Sequence, residues 1–552
     1  MKKPRLGKRA LAALSRANDE YDGSNKEPTT AEDYLEQGSI DEESGDRWLG
    51  SDLSKSLRFY QKAYTSYIKS IHLSSGFENL DSYYNSSRLL FQVYYQYLKT
   101  DGVNLYDLTN VEDSLRQDDS SVIHNIGSIV LAHERAINIA RQSSSPIPSD
   151  LLFNTATAYT EILDTEQDNS DSDFNQLLEV TYKAQIILSN LLDTQVNELR
   201  KFLDELKELD NNNVPQELSS SDHELEGQDE EKKSQEEYTA EEIVQPNDIF
   251  DTILASYKLG QSILENVTDF NNQVPRITDL ITPLLTKSDS IAHDLINNFS
   301  DFATVKNDMV ASLTIDQINE YKVIKTYIIG LTTSELDQLI QLWSESDLPE
   351  TSERYMSTAD NIQTFLDRND INLTFVNGPQ SNQDIKVSFW KALTQMNNNL
   401  KKAQDILNAQ LSEKRKIPSG VDLGLGALIA QISEVMIARS DIDLQRCQII
   451  DYEPAQQNQQ VLLNNSKTML KNAMNLANTP GGLRERIAEK MQREKKKVDS
   501  VLRLCVLEGK TSIQELDTIL GRKKWINELP SLIKLGYFES FGILNIEQPT
   551  DF

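Results

Sequence analysis

Apolar side chains recur at intervals of three and four residues along most of this 552-residue chain, and this is the period of one face of an α-helix. The stretch around Tyr60 and Tyr64 shows the pattern, and a second stripe containing Tyr94 and Tyr97 follows it. A helix with one apolar face needs a partner to cover it, so helices joined in pairs by turns are expected. No series of alternating polar and apolar residues indicates a sheet, and the sequence therefore predicts an all-α fold.

One acidic segment interrupts the helical pattern. Residues 204–242 contain 15 acidic residues, three basic ones and few apolar ones. Such a composition buries too little apolar surface to offset chain entropy, which predicts a disordered linker between two helical halves. The predicted divisions are a basic then polar, largely disordered arm (1–33), an N-terminal helical domain (34–203), the acidic linker (204–246), a C-terminal helical-repeat domain (247–478) and a basic long helix with terminal helices (479–552).

The paired helices resemble tetratricopeptide repeats, in which small residues and tyrosines stand at fixed intervals. Gly45 and Trp48 match the first helix of that family, and Ser56, Tyr60 and Ala63 match the second, with the two halves one residue closer than usual. A second likeness involves Ala156, Tyr159 and Ala184, and a weaker one lies at residues 255–264. The alternative is an irregular helical bundle whose helices merely share this spacing.

The resemblance implies a solenoid of stacked, antiparallel helix pairs whose concave side holds a segment of another protein. Asp46 stands where the subgroup that grips acidic chaperone tails has an asparagine, so that particular ligand is not implied. Seven residues are predicted to shape an N-terminal groove, most of them through packing rather than direct contact: Trp48, Tyr60, Tyr64, Tyr94, Tyr97, Ala156 and Tyr159.

The charge of the chain constrains its partners. The formal net charge is -31, with 86 acidic against 55 basic residues. This excess repels nucleic acid and anionic lipid, and it favours a basic protein as partner. No apolar run approaches the roughly 20 residues that span a bilayer. The two cysteines, Cys447 and Cys505, lack any paired spacing, which is typical of the reducing cytoplasm or nucleus.

Three charged segments have alternative interpretations. The N-terminal cluster is either a nuclear-import signal or a solvated arm; it contains Lys2, Lys3, Arg5, Lys8 and Arg9. The acidic segment is either a solvating linker or a mimic of nucleic acid that shields a basic client, and Ser219 and Ser221 precede acids at the spacing of an acid-directed phosphorylation site. A basic helix opening at Thr479 and Pro480 presents either a solvated face or a docking site for the acidic segment or RNA.

The sequence contains no motif that indicates catalysis. The five histidines are separated, Gly424 and Gly426 lack the third small residue of a dinucleotide loop, and no phosphate-binding loop is present. We therefore expect no catalytic, cofactor-binding or metal-binding residues and no small-molecule substrate. The predicted function is a non-enzymatic adaptor for protein–protein interaction, acting as an escort or assembly chaperone for a basic client. The alternative is a structural subunit of a larger complex.

Overall fold

A computed structural model describes residues 27–74, 79–116, 118–143, 146–167, 173–212, 243–300, 310–345, 347–418 and 424–546. Helices make up nearly all of the regular structure in these ranges. They contain no β-strand beyond an isolated bridge between Ser300 and Leu313. The predicted all-α fold is confirmed.

Before the acidic segment, the described residues form six α-helices. The first begins at a capping box, in which the Thr30 hydroxyl accepts from the Asp33 amide and the Asp33 carboxylate accepts from the Thr30 amide. A π-helical turn, Tyr94–Lys99, prolongs the third helix. The six helices are α1 (Ala31–Leu49), α2 (Leu53–Leu73), α3 (Leu80–Val93), α4 (Ile126–Gln142), α5 (Ser149–Glu166) and α6 (Phe174–Asn212).

After the acidic segment, the described residues form twelve more. These are α7 (Pro246–Glu265), α8 (Phe270–Phe299), α9 (Ile315–Leu331), α10 (Leu336–Leu342), α11 (Ser352–Arg368), α12 (Leu373–Val376), α13 (Gln383–Lys416), α14 (Leu425–Cys447), α15 (Glu453–Ala477), α16 (Ile487–Leu507), α17 (Ile513–Ile519) and α18 (Arg522–Lys534). Short 3-10 turns lie at Leu105–Asp107, Glu112–Leu115, Glu539–Phe541 and Ile543–Asn545.

Consecutive helices pack as pairs, and the short connections within α1/α2, α5/α6, α7/α8 and α14/α15 make the two members antiparallel. The helices on either side of the acidic segment also pack together, because α6 contacts both α7 and α8. One apolar core therefore extends from Leu35 in α1 to Ala455 in α15. A second core joins α14 and α15 to the terminal helices and ends at Ile546.

Glycines explain how closely the first two helices approach each other. A Cβ atom built on Gly45 would lie 2.4 Å from the ring of Tyr60, and one built on Gly38 would lie equally close to Tyr67. Both tyrosines are fully buried. The small-residue and tyrosine pattern of the sequence thus marks a close contact between α1 and α2.

Two helix boundaries differ from those predicted. The expected start at Thr479 and Pro480 is wrong: α16 begins at Ile487, since Gly482 has φ +107°, a conformation that an α-helix does not accommodate. Helix α6 continues past residue 204 to Asn212, because its apolar stripe continues to the buried Leu206.

Two arginines of the basic helix α16 form ion pairs inside the fold. Arg493 is 5% exposed and binds Glu485, with Nη2 to Oε2 at 2.9 Å. Arg503 pairs with Asp441 of α14 at 3.2 Å. Arg493 and Arg503 therefore do not belong to a solvated face, whereas Lys490 of the same helix is exposed.

Candidate binding cleft

A cleft of about 1270 Å³ opens between α7, α9, α11 and α13. Val323, Ile324 and Ile406 contribute aliphatic surface to its walls. Among the residues that the structure describes, the single basic residue of the lining is Arg368. The remaining charged lining is acidic and consists of Glu265, Asp316, Glu320, Glu350, Glu353, Asp360, Asp367 and Asp370. The cleft is therefore a strongly negative groove with aliphatic patches.

Glu265 at the end of α7 is fixed in place by hydrogen bonds. The buried Tyr327 donates its hydroxyl to one carboxylate oxygen at 2.9 Å, and Gln261 donates to the same oxygen at 2.8 Å. Gln167 donates to the other oxygen at 2.9 Å. Burial and the Glu265 charge raise the pKa of Tyr327, so its hydroxyl remains a donor. None of these neutral donors cancels the carboxylate charge.

Asp360 and Glu320 have no cationic partner within the described ranges. Asp360 is exposed to the open side of the cleft. The surrounding cleft walls nevertheless remove part of its hydration, and this desolvation, followed by the charges of Glu265 and Glu434, raises its pKa to about 6. Burial, followed by Asp251 and Glu353, raises the pKa of Glu320. Desolvation is the larger cause of both shifts, and the neighbouring carboxylates add to it because no described cation offsets their charge. A cation placed here would offset that charge.

The nearby arginines do not neutralise these two acids. Arg368 donates from Nη1 to the carbonyl of Leu331 at 2.6 Å, and its guanidinium carbon lies 4.9 Å from the ring centre of Phe270. Arg354 pairs with Glu350 at 2.6 Å at the edge of the cleft. Each guanidinium is thus held by another partner, and most of the acidic lining remains available to a ligand.

The seven residues predicted for an N-terminal groove do not line this cleft. Trp48 is 37% exposed, and the Lys55 ammonium lies 3.3 Å from its ring centre. The other six are buried, as expected for packing residues: Tyr60, Tyr64, Tyr94, Tyr97, Ala156 and Tyr159. The hydroxyls of the five tyrosines donate to nearby acceptors; Tyr60, for example, donates to Asp46 at 2.6 Å.

The sequence contained one signal for the cleft that composition concealed. Glu353, Asp360 and Asp367 recur every seven residues, which places three acids on one face of α11. In a chain with 86 acidic residues this spacing does not stand out. What distinguishes these acids is that none of them has a cationic partner in the described part of the chain, which a single sequence does not reveal.

Other predicted sites lie beyond the ranges that the structure describes. The basic N-terminal cluster and both candidate phosphorylation sites, Ser219 and Ser221, are among them. Within those ranges, no group of three or more histidine, cysteine, aspartate or glutamate residues has the geometry to hold a metal ion. No described helix is both long and apolar enough to cross a membrane.

The fold and the cleft define an all-helical protein with an acidic groove, and two comparisons show where similar sequences occur. A family model described as the YNL193W C-terminal domain matches residues 352–529, which include Asp360 and helices α11 to α17. The chain is also 24% identical over 518 residues to the "Uncharacterized protein YNL193W" of Saccharomyces cerevisiae, covering 84% of this chain and 87% of the yeast protein. No solved structure matches.

Proposed function

We propose that this protein is a non-enzymatic adaptor that holds a basic segment of another protein in its acidic cleft, as an escort or assembly chaperone does. The observation that carries the proposal is the set of unneutralised carboxylates around Asp360 and Glu320. A lysine or arginine side chain suits this lining, because its charged end would meet carboxylates while its aliphatic stem packs on Val323, Ile324 and Ile406. The mostly polar lining does not suit the apolar ligands of typical small-molecule pockets.

The fold supports the proposal through the order of its helices. Helix α5 packs on α7, α7 on α9, and α9 on α11, in one row that passes along the cleft. In a tetratricopeptide-like solenoid, the first helices of successive pairs form one row and the second helices of the pairs lie behind it. We include that architecture in the proposal. An escort that acts on newly made basic proteins would work in the cytoplasm, the nucleus or both.

Direct binding tests the proposal. Fluorescein-labelled decalysine is titrated into the full chain at low salt and followed by fluorescence anisotropy, beside a neutral peptide of equal length. Decalysine should bind, and Glu320→Gln with Asp360→Asn should weaken binding about tenfold, because two carboxylates that meet the peptide lose their charge. The control, Glu198→Gln with Glu205→Gln on exposed positions of α6, makes the same change in net charge and should lose far less affinity. Equal losses in the two variants would show that only net charge matters.

Crosslinking and mass spectrometry in the native cells then separate an adaptor from a structural subunit. An adaptor should recover a basic protein at low salt, crosslinked to α9 or α11, and lose it at high salt and in the cleft variant. A fixed set of partners that survives high salt in every variant would instead identify a subunit of a permanent complex. Deleting residues 213–242 in parallel shows whether the acidic segment contributes to capture.

A further inference from the structure

Distant parts of the chain meet at a contact that we call the clasp. It joins the N-terminal half to α16: the Ile487 amide donates to the Gly50 carbonyl at 3.0 Å, and Lys495 binds Asp101 at 2.5 Å. Its residues are Gly50, Asp101 and Gly102 on one side and Ile487, Met491, Lys495 and Lys496 on the other. Lys495 and Asp101 are 394 positions apart in sequence. Lys523 of α18 forms a further ion pair with Asp107, which lies on the same loop as Asp101.

The backbone at Gly102 is fitted to this contact. Gly102 has φ +81°, and a Cβ atom there would lie 2.8 Å from the carbonyl carbon and oxygen of Met491. Any larger residue would have to push the loop away from α16. Substitution of Gly102 therefore offers a way to open the clasp without changing its charge.

Lys496 connects the clasp electrostatically to the cleft. Its ammonium lies 3.0 Å from Asp101 and 3.0 Å from Glu434 of α14, so two acids on different elements share one cation. Helix α14 lies beside the cleft wall, since Gln431 contacts Met356 of α11 at 3.8 Å. Glu434 follows Gln431 by one turn of α14, which places it on the side of α14 near α11, and its charge adds to the causes that raise the pKa of Asp360.

We propose that clasp closure and cation binding in the cleft support each other through Glu434 and Lys496. With the clasp closed, the Lys496 ammonium is shared between Asp101 and Glu434, so it offsets less of the negative potential that Glu434 contributes to the cleft. With the clasp open, Lys496 forms an ion pair with Glu434 alone, which weakens the attraction of the cleft for a basic segment. Conversely, a cation bound beside Glu434 releases Lys496 toward Asp101 and tightens the clasp, as reciprocal linkage requires. This inference rests on the proposed function of the cleft and adds its regulation.

The closing experiment measures decalysine affinity in the full chain for variants that break the clasp in different ways. Asp101→Asn and Gly102→Val should each weaken binding about two- to fivefold, since both leave Lys496 with Glu434. Lys496→Met should strengthen it by a similar factor, because Glu434 then lacks its cation. Charge-matched controls at exposed positions, Asp113→Asn and Lys201→Met, should change affinity less than their counterparts. Hydrogen exchange at the Ile487 amide should slow on decalysine binding in the unmodified chain and remain unchanged in Gly102→Val.

The outcomes distinguish the two proposals. If all three clasp variants change affinity in the same direction, or if Gly102→Val has no effect, the linkage is overturned while the cleft remains the binding site. If Glu320→Gln with Asp360→Asn binds decalysine as tightly as the unmodified chain, the proposed function fails and the inference built on it fails too. Opposite signs for Gly102→Val and Lys496→Met, with the exchange response, support the linkage.

Discussion

Carboxylates lie beside tyrosines in the N-terminal helix pairs and in the cleft, but the two regions treat them differently. In the N-terminal pairs, Glu42 binds Arg88 and accepts from Tyr67 at 2.8 Å, and Glu161 pairs with Lys99. In the cleft, Asp360 and Glu320 have no cationic partner among the described residues. Matched acids of this kind hold helices together, whereas unmatched ones raise the energy of the free protein and are available to a ligand.

The largest expected effect concerns the matched acids. Arg88→Met leaves Glu42 buried without a cation, and we expect a loss of about 3–5 kcal/mol in the free energy of unfolding. Both side chains are almost fully buried, so water does not replace the lost partner. The double variant Glu42→Gln with Arg88→Met should recover much of the loss. Urea unfolding measures all three chains, and a small effect of Arg88→Met alone would contradict the distinction between matched and unmatched acids.

The second prediction concerns the packing that positions the matched acids. Gly45→Val places new atoms against the Tyr60 ring, and we expect it to cost about 1–3 kcal/mol of unfolding free energy. Gly127→Ala is the control, because a Cβ atom there lies 3.4 Å from its nearest neighbour, an ordinary contact. Urea unfolding again gives the comparison. Equal costs at the two glycines would mean that α1 and α2 do not depend on this close approach.

The sequence predicted the all-α fold because helical periodicity is a local property that neighbouring residues reveal. It also marked Gly45 and Tyr60, since a small residue facing a large ring leaves a recurring pattern. It did not predict the cleft, because whether Asp360 is neutralised depends on residues from the three other helices that line the cleft. The clasp was equally hidden: Lys495 and Asp101 are 394 positions apart, and nothing local to either suggests the other.

The third prediction is opposite in sign to the first, because removing the charge of Asp360 should stabilise the folded chain. Ionised Asp360 destabilises the folded chain, since its folded pKa of about 6 exceeds the ordinary value of 3.8. Its contribution to stability is therefore most favourable below pH 3.8 and is lost as the pH rises through 6. Asp360→Asn should raise Tm at pH 7.5, on the order of 1 °C, and the gain should shrink toward pH 4. Differential scanning calorimetry at both values tests this, with Glu198→Gln as control.

The smallest expected effect is a proton released when the cleft is filled. At pH 6 about half of the Asp360 carboxyls carry a proton, because their pKa is near that value. A bound lysine lowers this pKa, so binding decalysine should release up to about 0.5 proton. Isothermal titration calorimetry in buffers of different ionisation enthalpy measures the number. Asp360→Asn should release less, whereas Glu198→Gln should match the unmodified chain. Uptake of protons, or release unchanged in Asp360→Asn, would mean that the cation binds elsewhere. Asp360 would then lack a cationic partner in the free protein and still take no part in binding.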